Sequence, residues 1–158
     1  MKHTFLTILL LLVTGLTLHA QDRVQKADTL AVDTLAADTL SPEQRFKGTF
    51  YNEEIGLNIH LDLEEETLIV PGMSFLGPVH GYMDGKIYGA WMLIKHEIQG
   101  NKVLLRFTND MGADSQNVLL TAKEDGTFYY ETVNGNYVRR AVGRKLVKIA
   151  GEMPMKKK

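Results

Sequence analysis

The sequence predicts an all-β protein: a small antiparallel up-and-down β-barrel of about eight to ten short strands. Three observations lead there. Turn signals recur at short, fairly regular intervals between Phe46 and Ile149, at Asn52-Glu53-Glu54, Glu64-Glu65-Glu66, Pro71-Gly72, Asp84-Gly85, Gln99-Gly100-Asn101, Asp125-Gly126 and Asn134-Gly135. The runs between them have strand length and alternate apolar with polar residues. Beyond the N-terminus no segment carries a convincing helical period; the longest candidate, Ala113 to Ala122, contains Val118-Leu119-Leu120-Thr121, which suits a strand better. Many short strands joined by tight hairpins must close on themselves or split into two sheets, because one open sheet leaves its apolar face and both edges bare. Sequential hairpins favour the barrel over the sandwich, which usually needs longer crossovers.

Taken in chain order, residues 1–20 read as a secretory signal. Lys2 gives the positive start, Phe5 to Val13 an apolar stretch interrupted only by Thr7, and His19-Ala20 the exit. Export to the periplasm or beyond the cell is the expectation. No later window has the run of about 20 apolar residues that a spanning helix needs, so no integral membrane segment is expected. Residues 21–45 hold a pentapeptide repeat, Ala27-Asp28-Thr29-Leu30-Ala31, Val32-Asp33-Thr34-Leu35-Ala36 and Ala37-Asp38-Thr39-Leu40-Ser41. A period of five matches neither the 3.6 of a helix nor the 2 of a strand, so its leucines share no face and the segment reads as a flexible spacer closed by Ser41-Pro42. The other reading is a repeat that docks on a partner through its leucines.

The domain is expected over residues 46–150. Its clearest strand is Leu57-Asn58-Ile59-His60-Leu61-Asp62-Leu63, with the leucines and Ile59 on one face and Asn58, His60 and Asp62 on the other. Weaker alternation follows at Val103, Leu105 and Phe107, at Val118 and Leu120, at Phe128 and Tyr130, and at Val147 and Ile149. Asp84-Gly85, Asp125-Gly126 and Asn134-Gly135 tolerate the positive φ that tight hairpins require. The strand predicted over Lys86 to Ile94 is apolar on both faces, which implies cover from another part of the chain or from a second subunit, a homodimer. Residues 151–158 complete a basic end. Arg139, Arg140, Arg144, Lys145, Lys148, Lys156, Lys157 and Lys158 stand there against Glu152 alone, and 151–158 is expected to be a tail that frays at its three terminal lysines. Binding of anionic lipid headgroups is the alternative for this end.

Composition removes several classes. The chain has no cysteine, so disulfide scaffolds, thiolate zinc sites and catalytic thiols are excluded. With 18 Lys+Arg against 19 Asp+Glu there is no cationic excess to neutralise phosphates, and no nucleic-acid partner is expected.

The residues Gly48-Thr49-Phe50-Tyr51-Asn52-Glu53-Glu54, Val70-Pro71-Gly72, Phe75-Leu76-Gly77-Pro78-Val79-His80-Gly81-Tyr82, Trp91, Thr108-Asn109-Asp110-Met111-Gly112 and Gly135, in that order, resemble the exported lipocalin-like proteins of Gram-negative gut bacteria. The resemblance spans roughly residues 46–149. It implies a small calycin-type barrel, shorter than a typical lipocalin and without the disulfide many of those have. Its motifs are structural, and no catalytic residue carries over.

For chemistry the sequence offers little. Ser74 and Ser115 lie outside any G-x-S-x-G elbow, Glu64 to Glu66 read as a solvated turn, and no phosphate loop, dinucleotide fingerprint or H-E-x-x-H occurs, so a non-enzyme without a cofactor is expected. His60, His80 and His96 fall on three different predicted strands with no ligand spacing, so no metal site is expected from them. Asn109 to Asp114 only faintly resembles a calcium loop and is better explained as an Asn/Asp turn. The most informative irregular piece is Pro71 to Pro78, where Met73, Phe75 and Leu76 are apolar between strand breakers. It is expected to cover one end of the barrel, as a fixed plug or as a lid hinged at Gly72 and Gly77. The leading reading is a barrel that binds a small apolar or amphipathic ligand at that end, with Met73, Phe75, Leu76 and Trp91 as walls. The alternative is an envelope protein-protein interaction or structural module with a filled barrel, working through strand 86–94 or the repeated tail.

Overall fold

In the computed structural model the described residues are 40–158, and Ser41–Lys158 forms one unit. The signal-like segment 1–20 and nearly all of the pentapeptide repeat lie outside them. Eight strands close a barrel: β1 (Gly48–Asn52), β2 (Leu57–Leu61), β3 (Gly81–Gly85), β4 (Trp91–Gln99), β5 (Lys102–Asn109), β6 (Ser115–Ala122), β7 (Phe128–Val133) and β10 (Glu152–Lys157). The order around it is β1-β10-β7-β6-β5-β4-β3-β2 and every neighbouring pair is antiparallel. The expected up-and-down barrel is what the chain forms. Two strands stand apart, β8 (Arg139–Val142) and β9 (Lys145–Lys148), paired with each other in a ribbon inserted between β7 and β10.

The alternation read in the sequence becomes the wall. β2 buries Leu57, Ile59 and Leu61, and β6 buries Gln116, Val118, Leu120 and Ala122, while the residues between are partly exposed. Asp125-Gly126 closes the β6–β7 hairpin, where Lys123 N donates to Thr127 O at 2.8 Å. Gly85, at φ 106, is required where β3 meets the β1–β2 turn, since a Cβ there would overlap Gly56 O.

Four expectations are corrected. Residues 151–158 are not a loose tail. Glu152–Lys157 is the closing strand, with Met153 and Met155 buried and Pro154, Lys156 and Lys157 in register with Tyr129, Tyr51 and Phe50. A cationic strand is tolerated because Glu152 and Lys156 stand on its outer face, and Lys157, which follows Met153 and Met155 on the inner face, comes at the barrel end, where its Nζ donates to Arg45 O at 2.9 Å. Second, the spacer does not run to residue 45: Pro42–Arg45 is a helical turn, α1, whose Ser41 hydroxyl accepts from Gln44 N while the Gln44 side chain accepts from Ser41 N. This is a capping box, with Pro42 starting the turn. Third, the strand predicted over 86–94 starts only at Trp91, because Lys86 to Ala90 is consumed by the β3–β4 connection, in which Gly89 has φ 76. Fourth, Val147 and Ile149 do not share a barrel strand; Val147 is exposed in the ribbon and Ile149 is buried beyond it.

Antiparallel succession defines two ends. At one lie the β1–β2, β3–β4 and β5–β6 connections and the excursion 134–151. At the other lie α1, the long β2–β3 connection 62–80, the β4–β5 and β6–β7 turns and the C-terminus. Each end is stoppered from within: Phe46, fully buried, meets Phe128 edge-on at 6.2 Å at the α1 end, and Phe128 in turn meets Phe50 at 4.6 Å. Val138 and Ile149 belong to the same buried core at the ribbon end, where Ile149 N donates to Val138 O at 3.1 Å.

Candidate functional site

The four residues expected to wall one pocket are not together. Trp91 opens β4 at the ribbon end, whereas Met73, Phe75 and Leu76 lie in the β2–β3 connection at the α1 end, Phe75 and Leu76 within a 3-10 turn, Ser74–Leu76. Phe75 is 81% exposed and Leu76 46%, so the segment turns its large side chains outward and neither plugs nor lids the interior. Phe46 holds the place expected of them. Trp91 is buried, its Nε1 donating to Tyr88 O at 3.3 Å, as core filler next to the rim of a different cavity.

That cavity, about 170 Å³, lies at the ribbon end between the β3–β4 and β5–β6 connections and β8–β9. Trp91, Tyr88, Met111, Tyr137 and Leu146 give it apolar walls, and Arg139, Asp110 and Asp114 its charges. The ribbon is fastened over it by Tyr88 N donating to Arg139 O at 2.7 Å. Behind it, buried Gln116 donates to Gly135 O at 3.0 Å and accepts from Tyr137 N at 2.7 Å, fixing the turn at Asn134, whose φ is 60. The apolar outer face expected near residues 86–94 is thus approached by the chain's own ribbon, yet Tyr88, Met111, Tyr137 and Leu146 all stay substantially exposed around the cavity.

A second cavity, about 110 Å³, lies at the α1 end in the seam between β3 and β4. These two strands pair only at Tyr82↔Met92 and Met83↔Trp91. Beyond that the β4–β5 register shifts between Leu93 and Lys95, leaving Ile94 as the extra residue of a bulge. Regular alternation would drive Lys95 into the barrel. With the bulge, Lys95 stays outside and His96, opposite buried Leu105, turns inward. The His96 and His80 rings stand 5.3 Å apart, edge to face. His80 Nδ1 lies 3.0 Å from Asp62 O; a carbonyl only accepts, so Nδ1 carries a proton and is the donor there, while Nε2 faces Glu66 Oε1 at 3.7 Å. Burial, then the neighbouring His80, pushes the His96 pKa down, against a smaller opposing pull from Glu43. Sequence spacing did not reveal this pair. Carrying the Tyr82↔Met92 register outward sets His80 opposite Ile94, two positions from His96, and the bulge then decides which way the His96 ring turns.

His60 belongs to a different arrangement. Thr49, His60 and Tyr82 are neighbours across β1, β2 and β3. His60 Nε2 donates to Asp84 Oδ1 at 3.2 Å, its Nδ1 accepts from the Thr49 hydroxyl at 3.0 Å, and the ring stacks on Tyr82 at 4.4 Å. The hydroxyl, imidazole and carboxylate follow one another as in a nucleophile relay. The ring here is held by its strand neighbours, and it works as a cross-strand ladder.

No protein family, curated protein or solved structure matches the chain. Over the described residues, fold and geometry define a small closed antiparallel barrel with a filled interior and several hollows on its surface, one at the ribbon end and one in the β3–β4 seam among them. No helix among the described residues is long and apolar enough to cross a membrane.

Proposed function

We propose that this is an exported, non-enzymatic, lipocalin-like binding protein whose site is the ribbon end of the barrel and whose ligand is a small amphipathic molecule with one ring-sized apolar part. The carrying observation is the roughly 170 Å³ cavity beside Trp91, apolar on the sides formed by Tyr88, Met111 and Leu146 and edged by Arg139. A cavity of about 150 Å³ lined by apolar side chains takes a benzene-sized ligand, and the guanidinium suits an anionic substituent. The binding mode differs from an interior calycin pocket, because Phe46 at one end and Val138 with Ile149 at the other fill the barrel.

Trp91 is the sole tryptophan of the chain, so its fluorescence reports on this site alone. Titration of the full-length protein with 1-anilinonaphthalene-8-sulfonate is expected to quench Trp91 with saturable, stoichiometric binding, and Leu146→Asp to abolish it. A linear, non-saturating response, or one unchanged in Leu146→Asp, refutes the reading. The second reading, docking of a protein partner or a second copy on the same end, is favoured by Val142 and Val147, 51% and 45% exposed on the ribbon face away from Leu146.

A further inference from the structure

The seam between β3 and β4 holds two imidazoles and a carboxylate that the reading above does not use. We propose that His80, His96 and Glu66 form an open binding site for a divalent transition-metal ion of the zinc, copper or nickel kind.

Four observations support it. Two imidazoles bound to one zinc ion at about 2.0–2.1 Å, at a tetrahedral angle, have ring centres about 5 Å apart; those of His80 and His96 are 5.3 Å apart. Two ligand atoms on such an ion stand about 3.3 Å apart; His80 Nε2 and Glu66 Oε1 are at 3.7 Å. The His80 tautomer is fixed as a metal ligand requires, its Nδ1–H given to Asp62 O and its Nε2 left to coordinate. The bulge at Ile94 spends one residue to turn His96 inward, leaving a cavity of about 110 Å³ between these groups, ample for an ion with water. As they stand, no three His, Cys, Asp or Glu side chains among the described residues are placed to hold a metal ion, so the proposed site forms only as the ion draws its ligands together. Glu66, 61% exposed on the β2–β3 connection, has the freedom to move the few tenths of an ångström that closure needs. Lys95, the cation lining the cavity, is exposed, and Glu43 acts on His96 from α1 with opposite sign. Two nitrogens and one carboxylate with open positions select imidazole-seeking metals over magnesium or calcium, which want oxygen shells.

The test is calorimetric titration of the full-length chain with zinc chloride, together with electron paramagnetic resonance of the copper(II) form. The expected result is one equivalent of zinc bound in the micromolar range, with two imidazole nitrogens in the copper spectrum. His80→Gln and His96→Gln should each weaken binding at least about tenfold, Glu66→Gln should weaken it several-fold, and His60→Ala should leave it unchanged. Glu66 is exposed and makes no core contact, so its variant reads the site without risk to folding. The proposal is overturned by absence of zinc binding, by binding that survives both His80→Gln and His96→Gln, which assigns it to His3, His19 or the chain terminus, or by equal affinity for magnesium chloride. Unchanged affinity in Glu66→Gln overturns the three-ligand assignment.

Discussion

Tyr130 points into the barrel from β7 with its hydroxyl buried and without a hydrogen-bond partner, and burial raises its pKa far above the usual phenol value. An unpaired buried hydroxyl costs about 1–3 kcal/mol, so Tyr130→Phe is expected to raise the denaturant midpoint at unchanged m-value; a lower midpoint would show that the hydroxyl is satisfied. Asp62 is the opposite case. It accepts from Thr67 Oγ1 at 2.6 Å, Glu65 N at 3.3 Å and Lys47 Nζ at 3.0 Å, and the Thr67 hydroxyl chiefly holds its carboxyl below the usual carboxylate range. With the folded value lowered, its contribution is complete above the unfolded value near 3.8 and is lost as pH falls through the folded one. Asp62→Ala should cost about 1–3 kcal/mol at neutral pH and lose less further stability on acidification than the parent, as urea melts at pH 7 and pH 3 will show. Neither role is visible in the sequence, where Asp62 is merely the polar position of an alternating strand.

The elements were legible where one face is core and the other water. Leu57 to Leu63, Val103 to Phe107 and Phe128 to Tyr130 announce themselves by alternation because the pleat puts every second residue against the barrel interior. β10 was hidden by its charges and by Pro154, although Met153 and Met155 hold the required period. Proline is admitted there because its carbonyl still accepts, from Asn52 Nδ2 at 2.8 Å. The site was less legible than the strands, since His96 depends on a bulge and Trp91 on which end β4 begins. Truncation after Gly151 removes the strand that joins β1 to β7 and exposes both edges, together with the burial of two methionines. Each large-to-small loss in a core costs about 2–5 kcal/mol, against a total near 5–15 kcal/mol for a domain, so the truncated chain is expected to lose its cooperative thermal transition. Retention of that transition would show that the barrel closes without β10.

Across the whole molecule, β4 is the one strand that reaches both cavities, with Trp91 at the ribbon end and His96 five residues on in the seam. At about 3.3 Å per residue the two lie roughly 16 Å apart, separated by core side chains such as Leu93 and Phe107. Mutational effects more than about 7–10 Å apart without shared partners add within roughly 0.3–0.5 kcal/mol, and a filled barrel transmits a change only if it has a second packing to adopt. The two ends should therefore act independently. Zinc should leave the affinity for the fluorescent anion unchanged, and the stability loss of a Leu146→Asp, His96→Gln double variant should equal the sum of the single losses. A coupling of about 1 kcal/mol or more in either experiment would mean that the strand shifts as a unit between two registers, and the bulge at Ile94, the one irregularity between the two sites on β4, is where that shift would have to be absorbed.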